Sequence, residues 1–276
     1  MPKVWFITGS SRGLGRSLAE FALENGDFVA ATARDIDALR PLVEKYGPDK
    51  LLPVALDVTS WESVQDAVNA AAEAFGRIDL VVNNAGYANI SSVEDVDVED
   101  FRRQVDTNLF GVVHVSKAVL PVLRRQKSGH IFQISSVGGR VATPGLTAYQ
   151  CSKWAVGGFS TGLAAEVGPL GIRVTVLEPG GMRTDWAGSS MIVHPSSEPY
   201  QQTVGTFSKY LRDSAGKEPT DPASLGPMIE ELYKAGDPPL RMLVGPDAVE
   251  YWAAAVKAQA ESDEKWKRLS LASITN

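Results

Sequence analysis

The chain has 276 residues, 44% of them hydrophobic and 22% charged, with 27 basic against 33 acidic residues for a formal charge of −6. That composition can build one large core and carries no basic run, which excludes the electrostatic footprint of a nucleic-acid partner. Cys151 is the only cysteine, so no intrachain disulfide forms, and His114, His130 and His194 lie too far apart for a zinc site; no metal is expected.

No apolar run approaches the roughly 20 residues of a membrane span. The opening stretch, MPKVWFITGSSRG, reaches glycine and serine too soon for a secretory core. A cytoplasmic protein without a membrane partner is the expectation.

Taken in chain order, short β-branched runs alternate with amphipathic ones. VWFIT at 4–8 reads as a strand, and LGRSLAEFALENG at 14–26 as a helix stopped by Asn25-Gly26. DFVAATA at 27–33 is the second strand, followed by Asp35 as the cap of IDALRPLVEKYG. LLPVALDV at 51–58 leads to Ser60, which caps WESVQDAVNAAAEAFG, and IDLVVNNA at 78–85 is the fourth strand. One long helical pattern covers 97–126 and another 148–167, with strands GHIFQIS at 129–135 and IRVTVLEP at 172–179 preceding and following the second. LRMLVG at 240–245 closes the strand series, and a polar-faced helix is expected over 246–269.

Most of the strands are continuous apolar runs, as in strands covered on both faces. The repeated βα order predicts an α/β fold: a single Rossmann-like doubly wound sheet of about seven parallel strands with helices on both faces. Between 185 and 226 the pattern breaks. Pro195, Pro199, Pro219 and Pro222 punctuate it, while Trp186, Met191, Tyr200, Phe207 and Tyr210 supply apolar surface, which predicts a substrate lid with one or two short helices inside the one domain.

Two stretches carry chemistry. The first strand runs into Thr8-Gly9-Ser10-Ser11-Arg12-Gly13-Leu14-Gly15, where small residues let the backbone approach a phosphate and the helix start offers free N–H groups. The spacing G-x-x-x-G-x-G is neither G-x-G-x-x-G nor a P-loop, and its place at the first strand–helix junction points to a nucleotide. The second stretch is AYQCSKW at 148–154. Tyr149 and Lys153, four residues apart, share one helical face, which makes either an acid–base pair or an ordinary helix surface.

TGSSRGLG at 8–15, NNAG at 83–86, the spacing from Ser136 to Tyr149 to Lys153, and Pro179-Gly180 occur in this order over roughly 3–184. Together they resemble the short-chain dehydrogenase/reductase family, in particular the branch of hydroxysteroid and retinol dehydrogenases and many bacterial relatives. The resemblance implies a nicotinamide-dependent enzyme that interconverts a ketone and a secondary alcohol. Tyr149 would donate or accept the proton, Lys153 would lower the tyrosine's pKa and hold the nicotinamide ribose, and Ser136 would polarise the reacting oxygen. Ser135 is the rival serine, and the thirteen-residue spacing favours Ser136. Asn108, in VDTNLFG, would anchor a water linking Lys153 to solvent.

The same resemblance places the cofactor along Gly9, Ser11, Arg12, Gly13, Leu14 and Gly15, then Asp57 and Val58 at the adenine, and Asn84, Ala85 and Gly86 in the turn after the fourth strand. Pro179, Gly180 and Thr184 would meet the nicotinamide amide; Gly181, a departure giving PGGMRT, is expected to loosen that loop. The second strand ends in Ala33-Arg34, without the acid that holds the ribose diol of NAD. Arg34 and Arg12 therefore favour NADP (NADPH) over NAD, with Asp35 read as a helix cap. The expected partners are a hydrophobic small-molecule carbonyl or alcohol and, as in the family, a second or further copies in a homodimer or homotetramer. The small residues Ala155, Gly157, Gly158, Gly162, Ala164 and Ala165 are compatible with such close helix packing. The alternatives are a ketoacyl-carrier-protein reductase, a non-catalytic NADP-sensing regulator, and a dehydratase or epimerase of the longer-chain branch.

Overall fold

The computed structural model describes residues 2–188 and 191–272; Ser189 and Ser190, inside the expected lid segment, lie outside it. Seven parallel strands among the described residues form one sheet: β1 (Val4–Ile7), β2 (Phe28–Ala33), β3 (Leu51–Ala55), β4 (Leu80–Asn83), β5 (Gly129–Ile134), β6 (Ile172–Pro179) and β7 (Arg241–Val244). Their order is β3-β2-β1-β4-β5-β6-β7. Each strand stands where the apolar runs place it. The third and fourth are shorter than their runs, because the chain turns out of the ladder at Leu56 and at Asn84 to reach the cleft.

Helices cover both faces: α1 (Gly13–Glu24), α2 (Arg40–Tyr46), α3 (Trp61–Phe75), α4 (Val98–Val105), α5 (Gly111–Gln126), α6 (Thr147–Val167), α7 (Thr206–Ser214), α8 (Leu225–Lys234) and α9 (Pro246–Leu271). Adjacent residues of a strand point to opposite faces, so each strand feeds two cores. Trp5 and Ile7 pack with Leu18, Leu42 and Ile229 on the side of α1, α2 and α8. Phe6, between them, packs with Val64, Val119 and Leu163 on the side of α3, α5 and α6. The expected caps form: Asp35 accepts the Asp37 N–H at 3.0 Å, and Ser60 accepts that of Ser63 at 3.2 Å.

The helix expected over 97–126 is interrupted. A π turn at Asp106–Phe110 separates α4 from α5, and Asn108 sits in it fully buried. A π turn admits one extra residue per turn and changes no composition, so the apolar period runs straight through it; such turns recur at functional sites.

The strand order reverses between β1 and β4, where the β1 carbonyl ends face an open crevice. Over that crevice lies the segment 185–226. Its path is fixed at both ends by strand-like pairings, Ile90 with Val193 and Met182 with Thr220. Arg212 of α7 clamps it by donating to the carbonyls of Ala187, Gly188 and Met191. Met191 and Val204, with Trp186, Tyr200 and Phe207, form a third core around Ile90, Leu146 and Tyr149; Tyr210 stays exposed.

Candidate active site

The glycine turn and the turn after β4 are bolted together. Thr8 Oγ1 accepts the N–H groups of Asn84 and Ala85, each at 2.9 Å, and Asn84 Nδ2 donates back to the carbonyls of Thr8 and Gly9 at 2.9 and 3.1 Å. Gly9 and Gly13 have φ of 70° and 54°, the left-handed region where a side chain is strained. Gly15, in the first turn of α1, has no room: a methyl there would run into the Gly9 carbonyl and the Asn84 amide. Arg12 stands at the N-cap of α1 without a capping hydrogen bond, which leaves the first turn of the helix facing the cleft as an anion site.

The cleft measures about 1220 Å³. All of the site residues expected from the sequence line it except Gly15 and Asn108, which lie directly behind its wall. Arg12, Arg34, Asp57 and Val58 are among the lining residues, with Arg103, which sequence reasoning missed. Arg12 Nη1 lies 3.7 Å from Asp185 Oδ2. Asp35 does not line the cleft; its carboxylate is turned into the helix cap. The carboxylate of Asp57 accepts the Thr59 N–H and hydroxyl at 2.9 and 2.8 Å, so it caps the turn as well as facing the cleft.

Ser136, Tyr149 and Lys153 come together on the cleft wall. α6 presents Tyr149 and Lys153 one turn apart, and both are buried, 8% and 4% exposed. Lys153 Nζ lies 5.6 Å from the tyrosine ring centre and donates to the Ile134 carbonyl at 2.7 Å. Ser136, at the carbonyl end of β5, lines the cleft with the phenol and lowers its pKa, while its Oγ donates to the Pro179 carbonyl at 3.4 Å and accepts the Gly138 N–H at 3.0 Å. The Ser135 hydroxyl is taken up by the Lys153 carbonyl, to which it donates at 3.2 Å.

Burial sets the protonation of the pair. It pushes the Tyr149 phenol up to about 12, with Ser136 pulling the other way. It pushes the Lys153 ammonium down to about 8. The sequence expectation had Lys153 lowering the tyrosine. Instead desolvation moves the phenol upward, and the cause that lowers it is Ser136, not Lys153. Asn108 has both amide atoms on the Tyr87 backbone, accepting its N–H at 2.9 Å and donating to its carbonyl at 2.8 Å. A methyl on Gly86 would come 2.8 Å from Asn108 Oδ1 and 3.5 Å from Lys153 Nζ. Both groups therefore look onto the same small space beside Gly86.

The fourth wall is the loop after β6. Thr184 packs 3.6 Å from the Cβ position of Gly13 and caps a short 3₁₀ turn by accepting the Trp186 N–H at 3.3 Å. Gly181 does not loosen the loop: its N–H is held by Asp247 at 2.6 Å and its carbonyl by the Thr220 N–H at 3.2 Å. Behind the loop Glu178 is fully buried between Arg140 and Arg241. Sequence reasoning missed that trio; the lone acid inside IRVTVLEP was its only signal, since a buried carboxylate needs a cation.

A family model described as short chain dehydrogenase matches residues 3–191. "Oxidoreductase BOA17" of Botryotinia fuckeliana is 61% identical over 99% of this chain and 100% of its own length. The solved structure of a short-chain dehydrogenase from Streptomyces avermitilis superposes with a TM-score of 0.92 at 33% identity, covering 100% of this chain and 99% of that one. An alcohol dehydrogenase from the archaeon Thermococcus sibiricus, complexed with 5-hydroxy-NADP, gives a TM-score of 0.73 at 25% identity over 89% of this chain and 97% of that one. The chain belongs to the short-chain dehydrogenase family.

Proposed function

We propose that this oxidoreductase uses NADP(H) to interconvert a ketone and a secondary alcohol on a hydrophobic small molecule. The observation that carries the reading is that Ser136, Tyr149 and Lys153 line the same cleft as the glycine turn, Arg12 and Arg34. The cleft fits a dinucleotide. Its glycine turn admits close approach of a diphosphate to the first turn of α1, and the small space at Gly86 and the Pro179–Thr184 loop suits a nicotinamide riboside. The cofactor would supply or accept the hydride.

The chain's own residues do the rest. The Ser136 hydroxyl and the Tyr149 phenol both donate to the substrate carbonyl oxygen. As charge builds on that oxygen, Tyr149 passes it the phenolic proton, which leaves a tyrosinate. The Lys153 ammonium stabilises that tyrosinate and returns a proton to it. Asn108, facing the same space beside Gly86, holds the water through which Lys153 is reloaded from solvent. Water is kept from the reacting carbon by the segment 185–226, which acts as a lid and brings Trp186, Phe207 and Leu211 to the cleft wall.

Arg34 lines the cleft directly after β2, where a diol-binding acid would stand for NAD, and this supports NADP. A carrier-protein substrate is disfavoured by the use made of the lid's cations: Arg212 clamps three carbonyls, and Lys217 donates to the Asp213 carbonyl at 2.9 Å. A homo-oligomer through α6 is supported by its outward face, where Trp154 is 53% exposed and Gly158 and Gly162 meet open space.

The test is a panel of apolar and polar ketones and alcohols followed by NADPH absorbance, with Tyr149→Phe beside the wild type. Turnover of an apolar ketone by the wild type and its near-loss in Tyr149→Phe, with NADPH affinity kept, is expected. Wild-type rates in the variant would remove the proton donor. Firm NADPH binding with no turnover across the panel would favour a sensor.

A further inference from the structure

The loop Pro179–Thr184 is fastened from a part of the chain that no motif of the cofactor site includes. Gly245, the N-cap of α9, has a φ of 99° that makes the sharp exit from β7, and Pro246 opens the helix's first turn. The next residue, Asp247, carries its charge at the positive end of the helix, where a carboxylate is favoured. It is turned across to accept the Gly181 N–H at 2.6 Å, a short charge-assisted bond.

The fit is tight. A methyl on Gly180 would collide with the Asp247 carboxylate, and one on Gly181 would come 3.4 Å from it and 3.2 Å from the Glu218 side chain. Gly180 N donates to the Val244 carbonyl at 3.0 Å, so both glycines are gripped by the β7–α9 junction. Trp252, further along α9, stacks 4.8 Å from the Arg140 guanidinium. Arg140 in turn donates to Glu178, the residue before Pro179, at 2.6 Å. The first half of α9 thus braces two walls of the cleft at once.

We propose that Asp247 is a positioning residue for hydride transfer: by holding Gly181 it fixes the Gly180–Thr184 loop in the shape that receives the nicotinamide end of the cofactor. This rests on the cofactor reading above. The two adjacent glycines of PGGMRT are the small residues that let a carboxylate reach the backbone here, so the departure from the family pattern and the aspartate form one device. No hydrogen bond or ion pair joins Asp247 to Arg34 among the described residues, so its loss should not change the choice between phosphorylated and unphosphorylated cofactor.

The experiment compares the wild-type chain with Asp247→Ala and Asp247→Asn, reading NADPH and NADH affinity by tryptophan fluorescence, kcat on the best ketone, and Tm. Asp247→Ala is expected to weaken both cofactors alike by about tenfold or more and to lower kcat, with Tm within a few degrees of wild type. Asp247→Asn, which still accepts the Gly181 N–H, should restore affinity to within about threefold. Wild-type affinity and kcat in Asp247→Ala overturn the proposal while leaving the cofactor reading intact. An Asp247→Asn as weak as Asp247→Ala, or losses that follow a collapse in Tm in both, also overturn it. A wild type that binds neither NADPH nor NADH overturns the cofactor reading and this proposal together.

Discussion

Trp186 lies across Tyr149, their ring centres 5.3 Å apart and their planes inclined at 58°. The two residues come from opposite sides of the cleft, one from the segment over its mouth and one from α6. Their contact is what closes the third core over the phenol, together with Leu146 and Ile90. It also contributes to the burial that raises the phenol's pKa. Under the proposed function, a substrate carbonyl that reaches Tyr149 would have to displace or slide under the indole, which would make Trp186 a wall of the substrate site.

Trp186→Ala should therefore raise KM for apolar ketones by about tenfold and leave small polar ketones nearly unchanged, in line with one to three kcal/mol for a hydrophobic wall. Steady-state kinetics on a matched pair of ketones checks this. Equal effects on both would show that Trp186 does not meet substrate.

Arg34→Asp should weaken NADPH binding much more than NADH binding, because a carboxylate repels a 2′-phosphate and accepts from a ribose diol. Titration of both cofactors against the variant measures it, and equal losses would sink the assignment.

Lys153→Met should abolish turnover and raise Tm at pH 7. The folded-state pKa of Lys153 is pushed from the ordinary 10.5 down to about 8, so burying it costs stability in full below pH 8. As pH rises from 8 to 10.5 the folded lysine sheds its proton before the unfolded one, and the cost fades. The stability gap between variant and wild type should close over that window in urea unfolding. A variant less stable than wild type at pH 7 would contradict the assignment.

His130 offers the opposite test at acid pH. Burial, helped by the nearby Arg173, drops its pKa from 6.5 to about 3, and the ring is held neutral against Thr175 Oγ1 at 2.9 Å. The unfolded chain takes up a proton near 6.5 that the folded one refuses, so stability falls as pH drops from 6.5 towards 3. His130→Gln should be less stable than wild type at pH 7 and lose less on acidification. Parallel curves of urea midpoint against pH would refute it.

The strand series, the helix caps at Asp35 and Ser60, and the glycine turn were legible because each depends on a few neighbouring residues. Continuous apolar runs follow from burial on both faces, and a left-handed turn at Gly9 follows from the absence of a side chain. The interruption of 97–126 at Asn108 was not legible. A π turn leaves the apolar period almost unchanged, and the reason for it, an amide that pairs with the Tyr87 backbone, lies outside the helix. Ser136 was separable from Ser135 in sequence only by a count of residues; which hydroxyl faces the phenol depends on the pleat at the end of β5.

By itself the sequence determined the alternating strand–helix order, the doubly wound sheet and the glycine turn at its first junction, while the residues of the acid–base site came only from the resemblance of its motifs to a family. The first three follow from periodicity and steric allowance. Only the tertiary structure decided that Asp247 grips Gly181 across 66 residues of chain, that Glu178 is shared by Arg140 and Arg241, and that Trp186 rests on Tyr149. These contacts depend on strand register and on how each crossover returns to the sheet. No window of sequence carries that information, because it is settled by packing of the whole chain at once.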